Sequence, residues 1–222
     1  ITCRDWSSDV CSSDLLMWAL TVILFALPFC CLEQFFPWYL SLVAGPLLLN
    51  FCFAWRSLEE HAFSVVHSLQ EDLADGRRQA SLLVSRSTSD LDPGQVLSAA
   101  YESLSENLVD SIIAPLFYFS LFGLTGAAAY RAANTMDAML GYRDERTRLG
   151  WFSARADDIL NYIPARIAGA LLLLYFAWKG RFTSACETLR DDRHKRPGIN
   201  GGIPIAIIAG GRSEEASCRE RV

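Results

Sequence analysis

From Leu16 to Leu32 the chain runs 17 residues without a charge, pauses at Glu33 and Gln34, and runs another 21 from Phe35 to Trp55. Each stretch is close to the ~20 residues that cross about 30 Å of hydrocarbon. Separated by only two polar residues, they predict an antiparallel transmembrane pair over 16–55, with both outer ends in one compartment. A cleaved leader is not expected, because a second hydrophobic run follows the first at once. The pattern then changes period. In "SLEEHAFSVVHSLQEDL", Leu58, Ala62, Val65, Val66, Leu69 and Leu73 recur at three- and four-residue spacings, one face of an amphipathic helix. Thr88, Ser89, Asp90 and the Asp92–Pro93 pair are turn and cap residues that open another helix. On that helix Glu102, Glu106 and Asp110 recur every fourth residue along one face.

Ser111 to Tyr130 holds no charge over 20 residues and by length alone reads as a further span. Gly123 and Gly126 argue otherwise, since each lowers helix stability by up to about 1 kcal/mol. Only 12 residues, about 18 Å of helix, precede Gly123. Arg131 follows soon after, and its charge would cost roughly 2.5–3.5 kcal/mol at mid-bilayer. The expectation is a re-entrant hairpin within 111–140, its bend enclosed by protein because irregular backbone is not tolerated against lipid. Ile167 to Trp178 is 12 residues between Arg166 and Lys179, too short to cross upright, and is expected to lie buried or half-inserted. The fold class that follows is an all-α polytopic membrane protein: two N-terminal transmembrane helices, a re-entrant helical hairpin, and amphipathic helices on the cytoplasmic side. Lys and Arg support that side: four in 56–111, six in 131–166 and six in 179–196.

Composition agrees and adds two boundaries. The 222 residues are 51% hydrophobic, with a mean hydropathy of +0.20. That is too apolar for an ordinary soluble domain and too charged for a channel made of spanning helices alone. "RDWSSDVCSSDL" and "RSEEASCRERV" lack apolar periodicity and resemble translations of synthetic sequencing adapters. Residues 1–15 and 211–222 are therefore expected to be non-native and stay outside the fold reasoning. Residues 16–210 carry 16 basic and 19 acidic side chains, with no basic surplus for nucleic acid. Their four cysteines, Cys30, Cys31, Cys52 and Cys186, show neither zinc spacing nor a disulfide framework.

The polar residues around and after the hairpin carry the candidate chemistry. Arg131, Asn134 and Asp137 recur every third residue, and Asp157 or Asp158 can meet Asn161 on one helix face. Arg143, Arg155 and Arg166 lie in the same stretch. Carboxylates with carboxamides are hard oxygen ligands for magnesium, and clustered guanidiniums clamp phosphate or carboxylate. These types suggest a phosphorylated, magnesium-bound substrate beside the membrane, although ion pairs along helix surfaces would look the same. Asn200–Gly201–Gly202 is either an ordinary turn or a loop whose N–H groups cradle an anion. A P-loop is excluded: no GxxxxGK[ST] occurs, and the only lysines are Lys179 and Lys195. GxSxG and HExxH are also absent, and His61 and His67, six apart, do not share a helix face.

At these residues the chain resembles the adenosylcobinamide-phosphate synthase family of cobalamin biosynthesis. The stretches that carry the resemblance are "VSRSTSDL", "ESLSENLVDSIIAPLFY", "YRAANTMDAMLGYR" and "ARADDILNYIPAR", with "WRSLEEHA" upstream and "HKRPGINGGIPIAIIAG" downstream. It covers about 56–210, the region expected to be catalytic. The resemblance implies an integral membrane ligase. It would join adenosylcobyric acid to (R)-1-aminopropan-2-ol, or its O-phosphate, through an amide bond, with ATP consumed to activate the carboxylate. Asp110, Asp157 and Asp158 would hold magnesium, with Asp137 there or in catalysis. Glu102 or Glu106 would take a proton from the attacking ammonium. Arg86, Arg143, Arg155 and Arg166 would hold ATP phosphates or the propionate. Asn107, Asn134, Asn161 and Asn200 would orient substrate, and Thr88 would cap a helix or contact phosphate.

The implied cofactors are ATP and Mg2+, with a corrinoid as substrate. Membrane lipid and other membrane enzymes of the cobalamin pathway are the implied partners. The implied location is the bacterial inner (plasma) membrane, with the polar motifs toward the cytoplasm. The chain departs from the family pattern at three places. Ser87 stands where the family has Asp in "SRDTS", "RPGIN" replaces the usual Ser-Pro-Asn before the glycine loop, and the family's N-terminal "GDP" region is not present. A non-catalytic membrane sensor of the same fold is the alternative reading. A corrinoid transporter would show symmetric repeats and mid-bilayer polar groups, and the sequence displays neither.

Overall fold

Among the residues that the computed structural model describes (8–37, 45–53, 55–84, 87–140, 150–195 and 198–219), every regular element is a helix. In chain order these are α1 (Ser8–Phe35), α2 (Trp55–Glu71), α3 (Leu73–Ser81), α4 (Pro93–Leu108), α5 (Ala114–Leu140), α6 (Trp151–Leu160), α7 (Tyr162–Trp178), α8 (Phe182–Asp192) and α9 (Gly202–Arg219). A 3₁₀ turn lies at Asn50–Cys52 and a π turn at Val109–Ile113. The chain divides into two units, one of residues 1–53 with 113–164, the other of residues 54–112 with 165–222.

In the first unit, α1 carries the apolar run. Ser13–Phe35, 23 residues, is long and apolar enough to cross a bilayer, and none of its most apolar window is buried. Leu24 is 75% and Ile23 59% exposed. Such surface costs about 25 cal/mol per Å² in water and nothing comparable against lipid chains. The helix starts inside the segment set aside as non-native, and Asp14 there is buried, its Oδ2 accepting the Phe152 N–H at 2.7 Å. The second predicted span, 35–55, falls in part on 38–44 and 54, outside the described residues; its described part includes a helical stretch at 45–49 and the 3₁₀ turn. Leu49 and Cys52 pack with Leu124 and Ala127 of α5.

Pro93–Leu140 also passes as a span by length and composition, but it is not straight. The helical dihedrals fail at Phe122 (φ −134°, ψ 15°) and Gly123 (φ 65°, ψ −156°). Across this break the Tyr118 and Tyr130 rings stack, with centroids 5.1 Å apart and planes 13° from parallel. Twelve residues on a continuous helix would separate them by about 18 Å. The chain therefore doubles back, as the glycine spacing predicts. Gly123 supplies the left-handed φ that L side chains avoid. A Cβ on Gly126 would lie 2.6 Å from the Tyr118 carbonyl oxygen, so the close approach of the two arms requires a glycine there. The second arm runs on as helix through Arg131 to Leu140, longer than the short return that the sequence suggests.

In the second unit, α2 buries the predicted face: Val65 packs with Ala80, Val96 and Ala100, flanked by Leu69 and Leu73. Val66, expected on that face, is exposed. The helix predicted across "HSLQEDL" breaks at Asp72, whose extended backbone (φ −153°, ψ 139°) precedes α3. Asp92 opens α4 with a capping box: its Oδ1 accepts the Gln95 N–H at 2.8 Å and Gln95 Oε1 accepts the Asp92 N–H at 3.0 Å. α7 extends the 12-residue apolar stretch to 17. Ala165, Ala168 and Phe176 on it are buried while Leu171, Leu174 and Trp178 stay exposed. Phe176 packs with Ala185 of α8 and Ile207 of α9.

Candidate functional site

The first unit gathers the polar residues that follow the hairpin. Arg131 and Asn134 share a face of α5, as their spacing requires, and Arg131 Nη1 donates to Asn134 Oδ1 at 3.2 Å. Asn134 Nδ2 then donates to Asp157 Oδ1 on α6 at 3.1 Å. Asn161 ends α6 and donates its Nδ2 to Asp157 Oδ2 at 2.9 Å. Tyr130, 2% exposed, donates its hydroxyl to Asn161 Oδ1 at 2.8 Å. Both oxygens of Asp157 thus accept a carboxamide N–H, and each carboxamide is oriented by a donor behind it. Asp158, predicted as an alternative partner of Asn161, instead faces Arg155 at 3.6 Å.

Asp137 completes the group. It is half-buried and shows no hydrogen bond or ion pair among the described residues, and burial, then the charges of Asp157 and Asp158, work against its charged form. Among the described residues no three His, Cys, Asp or Glu side chains converge on a point that could hold a metal. Of the expected trio of Asp110, Asp157 and Asp158, Asp157 accepts from two amide donors, Asp158 faces Arg155, and Asp110 belongs to the π turn.

The second unit holds the other candidates. Arg166 Nη1 donates to Asn200 Oδ1 at 3.3 Å, at the loop that opens α9. Glu106 lies against that loop, and a Cβ on Gly201 would sit 3.4 Å from its Oε1. A carboxylate at this helix start works against the anion cradle that the glycines suggest. Glu102 and Glu106 keep their four-residue register on α4, but the π turn interrupts it at Asp110. Asn107 is exposed and donates to the Ser103 carbonyl of its own helix at 2.9 Å. Thr88 does not cap α4, whose cap is Asp92: 5% exposed, its hydroxyl donates to the Arg77 carbonyl at 2.8 Å, and Arg77 Nε donates to Leu91 O at 2.8 Å. It holds the 87–92 loop against α3. Arg86 and Arg143 lie outside the described residues.

Three contributors escape the spacing argument. Glu33, the break between two apolar runs, takes the N–H groups of Leu124 and Thr125 at 2.6 and 3.2 Å and the Thr125 hydroxyl at 2.6 Å. A carboxylate therefore caps the second arm where its first N–H groups would otherwise be orphaned. Tyr118 and Tyr130 read as membrane aromatics in sequence, yet their hydroxyls bond Leu160 O and Asn161 Oδ1. A charge between apolar runs is the one sequence signal that could have pointed to Glu33.

Comparison with known proteins shows the family. The family described as "CobD/Cbib protein" matches residues 4–213. A "Probable cobalamin biosynthesis protein CobD" of Methanothermobacter thermautotrophicus is 47% identical over 180 residues, 78% of this chain and 59% of the relative. The protein of the same description from Thermococcus kodakarensis is 50% identical over 195 residues, 87% of this chain and 63% of the relative. That from Pyrococcus furiosus is 44% identical over 198 residues, 89% and 64%. The chain thus spans about three-fifths of the length of these relatives. No solved structure matches. With 210 of its 222 residues covered, network residues included, the chain belongs to the CobD/CbiB protein family.

Proposed function

We propose that the protein is the membrane ligase of cobalamin biosynthesis that forms the amide between adenosylcobyric acid and aminopropanol or its phosphate, with ATP consumed. The observation that carries the reading is the wired carboxylate group of the first unit, built from motif residues within a chain about half identical to curated cobalamin biosynthesis proteins. A carboxylate does not condense with an amine in water, so its oxygen first attacks the γ-phosphorus of ATP and ADP leaves. The amine nitrogen then attacks the acyl carbon, phosphate departs with the C–O bond, and the ammonium proton passes to a base.

In this reading Asp137 and Asp158 would hold the magnesium that comes with ATP, an ion usually bound by one or two carboxylates plus substrate oxygens, and it would supply charge stabilisation at the phosphates. Asn134 and Asn161 fix Asp157 rather than touch substrate. Arg155 and Arg166 hold phosphate or propionate, with Asn200 orienting Arg166. Glu102 or Glu106, the latter exposed beside the glycine loop, takes the ammonium proton. The membrane is the plasma membrane, with the motifs toward nucleotide. Membranes carrying the full-length protein should consume adenosylcobyric acid only with ATP and amine present, and Asp137→Ala should abolish this while the protein still inserts. ATP-independent loss of the acid, or full activity in Asp137→Ala, would contradict the assignment.

A further inference from the structure

Tyr130 stands in none of the roles above, yet the polar network begins on it. An Asn carboxamide presents two different ends and can turn by 180°. For Asn161 the choice is forced. If its oxygen faced Asp157, two acceptors would oppose each other and the amide N–H groups would face a hydroxyl. With the oxygen toward Tyr130, the tyrosine O–H donates at 2.8 Å and both N–H groups are free for Asp157, one at 2.9 Å. Asn134 obeys the same rule on the other side, where a guanidinium, which can only donate, faces its oxygen. Asp157 is thereby pinned at both oxygens by neutral carboxamides, one oriented by a tyrosine hydroxyl and the other by a guanidinium.

Tyr130 is also the point at which the hairpin touches the network. Its ring stacks on Tyr118 of the opposite arm, and Tyr118 donates to Leu160 O at 3.0 Å, one residue before Asn161. Folding of the hairpin therefore sets the tyrosine that sets the carboxamide that sets the carboxylate. We infer that Tyr130 is a positioning residue of the ligase: its hydroxyl acts through Asn161 to hold Asp157 beside Asp137. The inference rests on the functional reading above.

The test is a double-mutant cycle on turnover in membranes carrying the full-length protein. Tyr130→Phe keeps the stacked ring and removes only the hydroxyl. It should lower kcat about tenfold with KM changed less than about twofold, the loss of one hydrogen bond felt in the transition state. Asn161→Ala should cost at least as much, and Tyr130→Phe added to it should cost nothing further. Tyr118→Phe, which removes the neighbouring hydroxyl but leaves the wire intact, should stay within about twofold of the parent. Additive effects of Tyr130→Phe and Asn161→Ala, or equal losses in the two tyrosine variants, would reduce Tyr130 to a packing residue. Absence of turnover in the unmutated protein would sink the functional reading itself, a separate result from additivity in an active one.

Discussion

The two units treat similar residue types differently. In the first, Arg131, Asn134, Asp157, Asn161 and Tyr130 form one chain of bonds, and Asp137 is the carboxylate outside it. In the second, the motif residues do separate jobs: Thr88 and Ser103 anchor a loop and a helix to backbone carbonyls, Asn107 bonds its own helix, and Arg166 meets Asn200. A polar residue inside a network is costly to remove even if it never meets substrate, because buried donors lose their acceptors. A polar residue at the surface is cheap to remove and so is free to serve chemistry. Spacing in sequence does not separate the two kinds.

The largest effect that sharpens this contrast lies within the first unit. Asp157→Ala leaves two carboxamides without an acceptor and should destabilise the protein by about 2–4 kcal/mol, read as a lowered thermal midpoint in detergent. Asp137→Asn should do the opposite. It removes a charge disfavoured by partial burial and by two neighbouring carboxylates and should stabilise by about 0.5–1 kcal/mol while abolishing turnover, the trade expected of a strained site. A drop in midpoint for Asp137→Asn would show that Asp137 belongs to the structural wire. Next comes the hairpin tip. Gly123→Ala places a Cβ against the Glu33 carboxylate at φ 65° and should cost about 1–2 kcal/mol from the backbone alone.

Glu33→Ala strips the cap from the second arm and should cost about 1–2 kcal/mol, with Glu33→Gln intermediate because it keeps an acceptor and loses the charge. Equal midpoints for all three residues at position 33 would remove the capping role. The smallest effects belong to the second unit's exposed motif residues. Glu106→Gln and Asn107→Ala should move the midpoint by no more than about 0.5 kcal/mol, and under the proposed function Glu106→Gln should still slow turnover. Destabilisation as large as that of Asp157→Ala would erase the distinction between the units.

Much of the first unit was legible because helical spacing and glycine chemistry are local. Gly123 and Gly126 marked the bend, and the Arg131–Asn134 and Asp157–Asn161 pairs followed from one turn of helix. What spacing could not reach were contacts between elements far apart in sequence. Glu33 meets Leu124 across 91 positions and Tyr130 meets Asn161 across 31. The anchoring by Thr88 was out of reach for a related reason: turn chemistry places it in a loop but does not say that its hydroxyl turns inward to Arg77. The π turn at Val109–Ile113 likewise leaves no composition signal, so the acidic face drawn through Asp110 ran one turn too far.

The returning hairpin is what allows the Tyr118–Tyr130 stack and, through it, the wired carboxylate. Spin labels on Leu116→Cys and Thr135→Cys, both at exposed positions, measure it directly in a cysteine-free background. Paired antiparallel arms put the two backbones about 10 Å apart, the usual distance between packed helices. A continuous helix puts them about 28 Å apart along its axis. A dipolar distance near the shorter value is expected, and one near the longer value would contradict the account.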